Sequence, residues 1–189
     1  MTRNLIRCEW VGSDDRYKKY HDEEWGKPVY DDKKLFEFLL LEGFQAGLSW
    51  ITVLKKRENF RKAFDNFDYN KIARYTSSKF ESLLLNPGII RNKLKIYSAP
   101  INAQKFINVQ NEFVSFNNYL WNFVDTPICN HWKSIKEVPA STKLSDCISK
   151  DLKKRGFKFV GTTIIYAFLQ AVGVVNDHTL ICSFHPINQ

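Results

Sequence analysis

His178 and Cys182 stand four residues apart, so on a helix both project from one face at a spacing that suits two ligands of a single metal ion. Two readings compete there: a shared metal, or a buried thiol beside a half-exposed imidazole. Cys8 and His21, near the other end of the chain, have the ligand types to complete a Cys2His2 tetrahedron, although no spacing shows that the two ends meet. A closed set of four such ligands is a structural zinc site, because hydrolytic zinc keeps one position open for water. It would fasten the two termini together.

Glu42 follows the apolar run Phe38-Leu39-Leu40-Leu41 and precedes Gly43 and Phe44. Such surroundings raise a carboxyl pKa or demand a specific partner; the plainer alternative is a helix-end Glu in water. Trp10, Tyr17, Tyr20, Trp25 and Trp50 bracket this residue in the chain. A nucleobase flipped out of a duplex needs π-faces around it and a polar group at its edge. Each ring alone serves a core equally well, but five within some forty residues of one awkward carboxyl favour a pocket. The turn Pro87-Gly88-Ile89-Ile90-Arg91 has the makings of a phosphate contact, with backbone N–H groups at a helix start and Arg91, Lys93 and Lys95 beside them. A plain corner between two helices is the alternative.

The elements that position these groups read as helices. Asp31 or Asp32 caps a helix carrying Leu35, Phe36, Leu39 and Leu40, interrupted by Gly43 with Glu42 at its end. A second runs from Ser49 to about Phe64, its basic stretch solvated. A third spans 77–85, Asn86-Pro87-Gly88 turns the chain, and Ile89, Ile90, Leu94 and Ile96 resume helical spacing until Pro100 limits or kinks it. An aromatic helix over about 113–124 and a surface loop over 125–141 follow. Ser141 or Thr142 caps a helix ending at Lys153-Lys154-Arg155-Gly156, and Thr163 to Val172 reads as a buried core helix. Asn176 and Asp177 cap a last turn bearing His178 and Cys182, and the first thirty residues read as irregular.

With 189 residues, 44% hydrophobic and 15% aromatic, the chain can bury one substantial core and is not disordered. Its 28 Lys plus Arg against 20 Asp plus Glu leave +8 at pH 7, which favours a polyanionic partner. No run approaches the ~20 apolar residues of a membrane span, and Met1-Thr2-Arg3-Asn4 open no secretory leader, so a cytoplasmic location is expected. Cys8, Cys129, Cys147 and Cys182 lie too far apart to read as a disulfide framework.

Several strings carry a resemblance: Tyr20-His21-Asp22 with Glu24-Trp25-Gly26, the run LEGFQAGLSWITVLKKRE over 41–58, KRGFKFVGTT over 154–163, and Asn176-Asp177-His178. Together they resemble the family of constitutive bacterial 3-methyladenine DNA glycosylases, in the helix-hairpin-helix superfamily, and the likeness runs from Cys8 to Cys182. The resemblance implies an all-α fold with a zinc site joining the N- and C-terminal segments. It implies one catalytic unit over 1–189 with two helical lobes, a zinc-bound lobe from about 1–25 and 165–189, and a helix-hairpin-helix region at about 77–103. Carried over by motif, Cys8, His21, His178 and Cys182 are the ligands of one structural zinc. Glu42, Tyr20 and Trp50 read the base, and Trp10, Tyr17 and Trp25 complete the aromatic wall. His185, three residues past Cys182, is a competing ligand.

The expected activity is hydrolytic removal of N3-methyladenine from alkylated double-stranded DNA, without strand nicking, by a monomer that releases the free base. Methylation leaves the ring cationic, so the base is a good leaving group and recognition does most of the work. Gly88, Arg91 and Lys93 would hold DNA, and Gly47 and Leu48 are candidates for the gap left by the flipped base. A non-catalytic DNA-binding module would share the charge and the hairpin but has no use for Glu42 among rings. A glycosylase for another lesion is the second rival.

Overall fold

The computed structural model describes residues 5–189; Met1 to Asn4, on which the reading of the leader rested, lie outside the described residues. The segment expected to be irregular contains helix α1, Asp15–Glu23, started by Asp14, whose carboxylate accepts from the Arg16 amide. Its buried face carries Tyr20 and His21, so this short helix presents an aromatic ring and a candidate ligand from adjacent positions. Helix α2, Asp32–Gln45, is capped by Asp31 and buries every residue from Leu35 to Phe44. It is therefore the central helix, surrounded rather than half-exposed.

Gly43 does not interrupt α2, which continues two residues beyond it. A Cβ there would lie 3.3 Å from the Cβ of Phe159, so glycine permits the close approach of the 157–161 segment at little cost beyond its weak helix propensity. Helix α3, Trp50–Ala63, follows Ser49 and runs to Phe64 as expected. Arg57 fastens α3 to its neighbours, donating to Glu37 of α2 at 2.6 Å and to Glu24 after α1 at 2.9 Å. A short helix α4, Tyr69–Ile72, leads to α5, Ser77–Leu85, whose bounds match the sequence pattern.

Helix resumes only at Lys93, after Ile89 and Ile90, and α6, Lys93–Phe113, continues past Pro100. A helix-interior proline costs ~3 kcal/mol. Here Ile96, Ala99, Ala103 and Phe106 are all buried to 0% exposure, and burying four apolar side chains outweighs that cost. The aromatic helix expected over 113–124 is thus two elements, the end of α6 and α7, Phe116–Trp121. Asp32 joins them to α2, accepting from Gln110 Nε2 at 2.6 Å and from the Phe116 and Asn117 amides.

Thr142 and Ser145 form a capping box at the start of α8, Lys143–Lys154, and α9, Thr162–Ala171, packs between α8 and α2. One small departure from an all-helical chain is a two-residue parallel pair, β1 at Ile128–Cys129 with β2 at Val175–Asn176, which pins the 125–141 loop to the C-terminal segment. The chain is mostly helical. No helix among the described residues is long and apolar enough to cross a membrane.

Candidate functional site

The two ends of the chain meet. Cys8, His21, His178 and Cys182 are buried, and one ligand atom from each lies within 4.8 Å of all the others. His178 and Cys182 do not sit on a helix, contrary to expectation: the chain leaves β2 and turns, with the Cys182 amide donating to Thr179 O at 2.8 Å. The turn nevertheless brings Cys182 Sγ within 3.5 Å of both His178 Nδ1 and His21 Nε2, and Cys8 Sγ within 3.6 Å of His178 Nδ1. Tetrahedral zinc with its usual bond lengths places S and N ligands ~3.6 Å apart, so the four residues fit that ion.

The groups behind the ligands fit as well. His21 Nδ1 meets Asp22 Oδ1 at 2.7 Å, and Asp22 is itself gripped by Arg7. His178 Nε2 lies 3.3 Å from the Trp25 carbonyl. Such partners set the tautomer and direction of ligating imidazoles. Their shared hydrogen bond raises the Cys8 thiol and lowers Cys182, leaving a site whose thiolate attracts a cation. His185 is excluded from the cluster: it is buried against β1, with Nε2 3.0 Å from Asn130 O and Nδ1 accepting from the Ile187 amide.

Next to this corner is a cleft of about 370 Å³ lined by Trp10, Tyr17, Tyr20, Trp25, Glu42 and Trp50 among others. All six candidates for base recognition therefore share one cavity. The ring wall leans on the Cys2His2 corner: Trp25 lies 4.7 Å from the His178 ring and Trp10 5.4 Å from the His21 ring, both edge-on. Tyr20 joins the two sides, 5.3 Å from Trp50 and 6.4 Å from Trp10.

Glu42 lies in the last turn of α2 with only 3% of its surface exposed. Burial raises its carboxyl pKa from 4.5 to about 8, so at pH 7 the group is mostly neutral. Its Oε2 and the Trp50 indole Nε1 have no hydrogen-bond partner among the described residues. An unpartnered buried polar atom costs ~1–3 kcal/mol, and both of these belong to residues that line the one cleft. Tyr20 and Tyr17 resist ionisation, both chiefly because of burial, and so remain neutral rings.

The DNA-contact candidates lie on two turns. Gly47, at φ +80°, and Leu48, 43% exposed, form the open bend between α2 and α3. Arg91 and Lys93 are exposed at the entry to α6. The Gly88 amide, by contrast, is not free for a phosphate, because it donates to Asn86 Oδ1 at 2.8 Å. A Cβ on Gly88 would sit 3.1 Å from Asn59 Nδ2, so this glycine seats the turn on α3. Lys95 is also not a surface cation: its buried ammonium donates to Phe44 O at 2.9 Å and Ala46 O at 2.6 Å, closing the C-terminus of α2 beneath the Gly47-Leu48 bend.

The model of methyladenine glycosylases matches residues 10–185. The chain is 50% identical to DNA-3-methyladenine glycosylase 1 of Escherichia coli K12 over 186 residues, 98% of this chain and 100% of that protein. It is 47% identical to the DNA-3-methyladenine glycosylase of Haemophilus influenzae, over 93% of this chain and 96% of that one. The chain belongs to the methyladenine glycosylase family.

Among solved structures, a crystal structure of 3-methyladenine DNA glycosylase I superposes with a TM-score of 0.93 at 51% identity, covering 96% of this chain and 100% of the other. The Staphylococcus aureus enzyme, in a structure concerned with 3-methyladenine recognition, gives 0.92 at 34% identity, over 96% and 97% of the two chains.

Family membership does not by itself reveal the far wall of the cleft. That wall comes from α9, through Thr163, Tyr166, Ala167 and Gln170, and from the 125–141 loop, through Ile135, Val138, Pro139 and Ala140. The sequence reading took α9 as core alone. A signal was present: Thr163, Tyr166 and Gln170 recur at three- and four-residue steps, so one face of an apolar helix is polar. Nothing in the loop's composition marks it as a cavity wall.

Proposed function

We propose that this protein flips N3-methyladenine out of double-stranded DNA and hydrolyses its glycosidic bond, leaving an abasic site and an intact strand. Two unpartnered polar atoms, Glu42 Oε2 and Trp50 Nε1, inside an aromatic cleft carry this reading. A non-catalytic binding module has no reason to keep such a cost. The homologous enzymes named above act on the same lesion by name.

In this mechanism Arg91 and Lys93 hold backbone phosphates, and the Gly47-Leu48 bend occupies the space of the extruded nucleotide. The methylated purine enters as a cation and stacks among Trp50, Tyr20, Trp10, Tyr17 and Trp25, whose ring faces attract positive charge. Glu42 bonds the polar edge of the base; as the cation approaches, its carboxyl is driven towards the charged form it otherwise avoids. Water attacks the anomeric carbon as the bond to the base breaks. That bonding pair neutralises the departing ring, and the water's spare proton passes to solvent. No lysine nucleophile is required.

Cys8, His21, His178 and Cys182 would hold one zinc ion, which supplies structural closure between residues 8–25 and the C-terminal segment. The chain then functions as one catalytic unit and a monomer, with the hairpin between α5 and α6 as its helix-hairpin-helix element.

The test is incubation of the purified protein with methylated duplex DNA, followed by chromatography of released bases and counting of strand breaks before and after alkali. Release of 3-methyladenine, with breaks appearing only after alkali, is expected. A folded, zinc-loaded protein that releases no base contradicts the reading, and an adduct trapped by borohydride contradicts its hydrolytic form.

A further inference from the structure

One buried carboxylate outside the reaction described above organises the far wall of the cleft. Asp177 is 1% exposed and receives four donors. Asn130 Nδ2 at 2.7 Å and Trp132 Nε1 at 2.8 Å reach Oδ1, while the Tyr166 hydroxyl and Gln170 Nε2, each at 2.6 Å, reach Oδ2. Two of these donors belong to cleft-lining residues of α9; the other two stand at the foot of the loop that supplies Ile135, Val138, Pro139 and Ala140.

The chemistry of that arrangement is directional. A carboxylate only accepts, so the amide end of Gln170 that faces Asp177 is its nitrogen, and its carbonyl Oε1 points away. Oε1 has no protein partner among the described residues, on a side chain that lines the cleft. The Tyr166 proton is committed to Asp177 in the same way, which leaves only lone pairs on its phenolic oxygen. Gln170 Oε1 and the Tyr166 phenolic oxygen are therefore fixed as acceptors, and the donors left on the α9 wall are the Thr163 hydroxyl and the second Gln170 amide hydrogen.

We propose that Gln170 is a specificity-determining residue, held by Asp177 as a positioning residue so that the cleft presents an acceptor to the base. This rests on the reading of the cleft as a base pocket. Adenine carries an amine at its six position where guanine carries a carbonyl oxygen. The Gln170 carbonyl oxygen bonds the first and repels the second, so it selects methylated adenine over methylated guanine, and it favours a cationic ring over a neutral one.

The test compares excision of 3-methyladenine and 3-methylguanine from the same methylated duplex by wild type, Asp177→Asn and Gln170→Met, with melting temperature and zinc content measured on each. An asparagine at 177 can turn its own amide towards Gln170, which lets the glutamine reverse and frees the tyrosine proton. Wild type prefers adenine; in Asp177→Asn the preference falls by roughly tenfold or reverses. Gln170→Met, which removes the acceptor without disturbing the charge beside His178, keeps its fold and loses preference for adenine. Equal losses on both lesions in the folded variants would overturn the assignment and leave Asp177 a structural clamp. Should Asp177→Asn not fold, the Gln170→Met ratio alone decides. A wild-type protein that releases neither base defeats base excision itself, a different failure.

Discussion

The Cys2His2 corner and the Glu42 cleft are neighbours that treat buried polar atoms in opposite ways. In the corner the ring nitrogens and sulfurs of Cys8, His21, His178 and Cys182 contact one another, Asp22 or the Trp25 carbonyl. In the residues lining the cleft, Glu42 Oε2 and Trp50 Nε1 have no partner among the described residues. Both regions are buried, so exposure does not distinguish them. A saturated network stabilises the fold, whereas an unsaturated one holds interaction free energy in reserve for a ligand. The contact of Trp25 and Trp10 with the two histidines shows why they adjoin: the stable region braces the rings of the unstable one.

Breaking the saturated side should have the largest effect. Removal of the metal by a chelator, or Cys182→Ser, is expected to cost several kcal/mol and lower the melting temperature by roughly 10 °C or more. Calorimetry with and without added zinc checks it, and an unchanged transition would mean that the four residues hold no structural ion.

The unsaturated side should respond with the opposite sign. Glu42→Gln is expected to lower excision roughly a hundredfold or more while stabilising the fold. The folded carboxyl, at about 8, holds its proton more tightly than the unfolded one at 4.5, so wild-type stability is full below about pH 4.5 and is lost as pH rises towards 8. At pH 7 that loss is about 3 kcal/mol, an upper bound if the site relaxes. Denaturant titrations from pH 5 to 8 should show a decline in wild type and a flatter line in the variant.

A smaller effect is expected at the seam between base cleft and hairpin. Lys95→Met leaves the Phe44 and Ala46 carbonyls unpaired, at a cost of ~1–3 kcal/mol. It should weaken excision from duplex DNA more than binding of the free base, since the bend above it is the one proposed to fill the nucleotide gap. Equal losses in the two assays would assign Lys95 to the fold alone. The smallest change in stability belongs to Leu48→Ala, whose side chain is 43% exposed. It should leave the transition within ~0.5 kcal/mol while slowing excision from duplex DNA, measured under single-turnover conditions.

The regular helices were readable because their patterns were strong: Ser77–Leu85 and Trp50–Ala63 lie where apolar spacing puts them. Local propensity makes Gly43 read as a break and Pro100 as a limit or a kink, and tertiary burial carries the helix on past both. Helix α1 was hidden by rings and charges that obscure helical periodicity over only nine residues, although Asp14 was a legible cap. Cys8, His21, His178 and Cys182 were legible as ligand-type residues, but their meeting depends on long-range turns that no spacing encodes. Gly88 and Lys95 looked like phosphate contacts because composition cannot show that an amide or an ammonium is already engaged. The Asp177 network escaped for the same reason: its four partners come from separate parts of the chain.

The most direct measurement is titration of free 3-methyladenine into wild type and Glu42→Gln, followed by tryptophan fluorescence, with both proteins shown to be folded and metal-loaded. Saturable quenching in wild type, with affinity at least tenfold weaker in the variant, is the expected result, because Trp50 and its neighbours line the cleft in which Glu42 is proposed to hold the base. Equal affinity in the two proteins, or no response in either, would contradict the assignment of the cleft as the site where the damaged base is read.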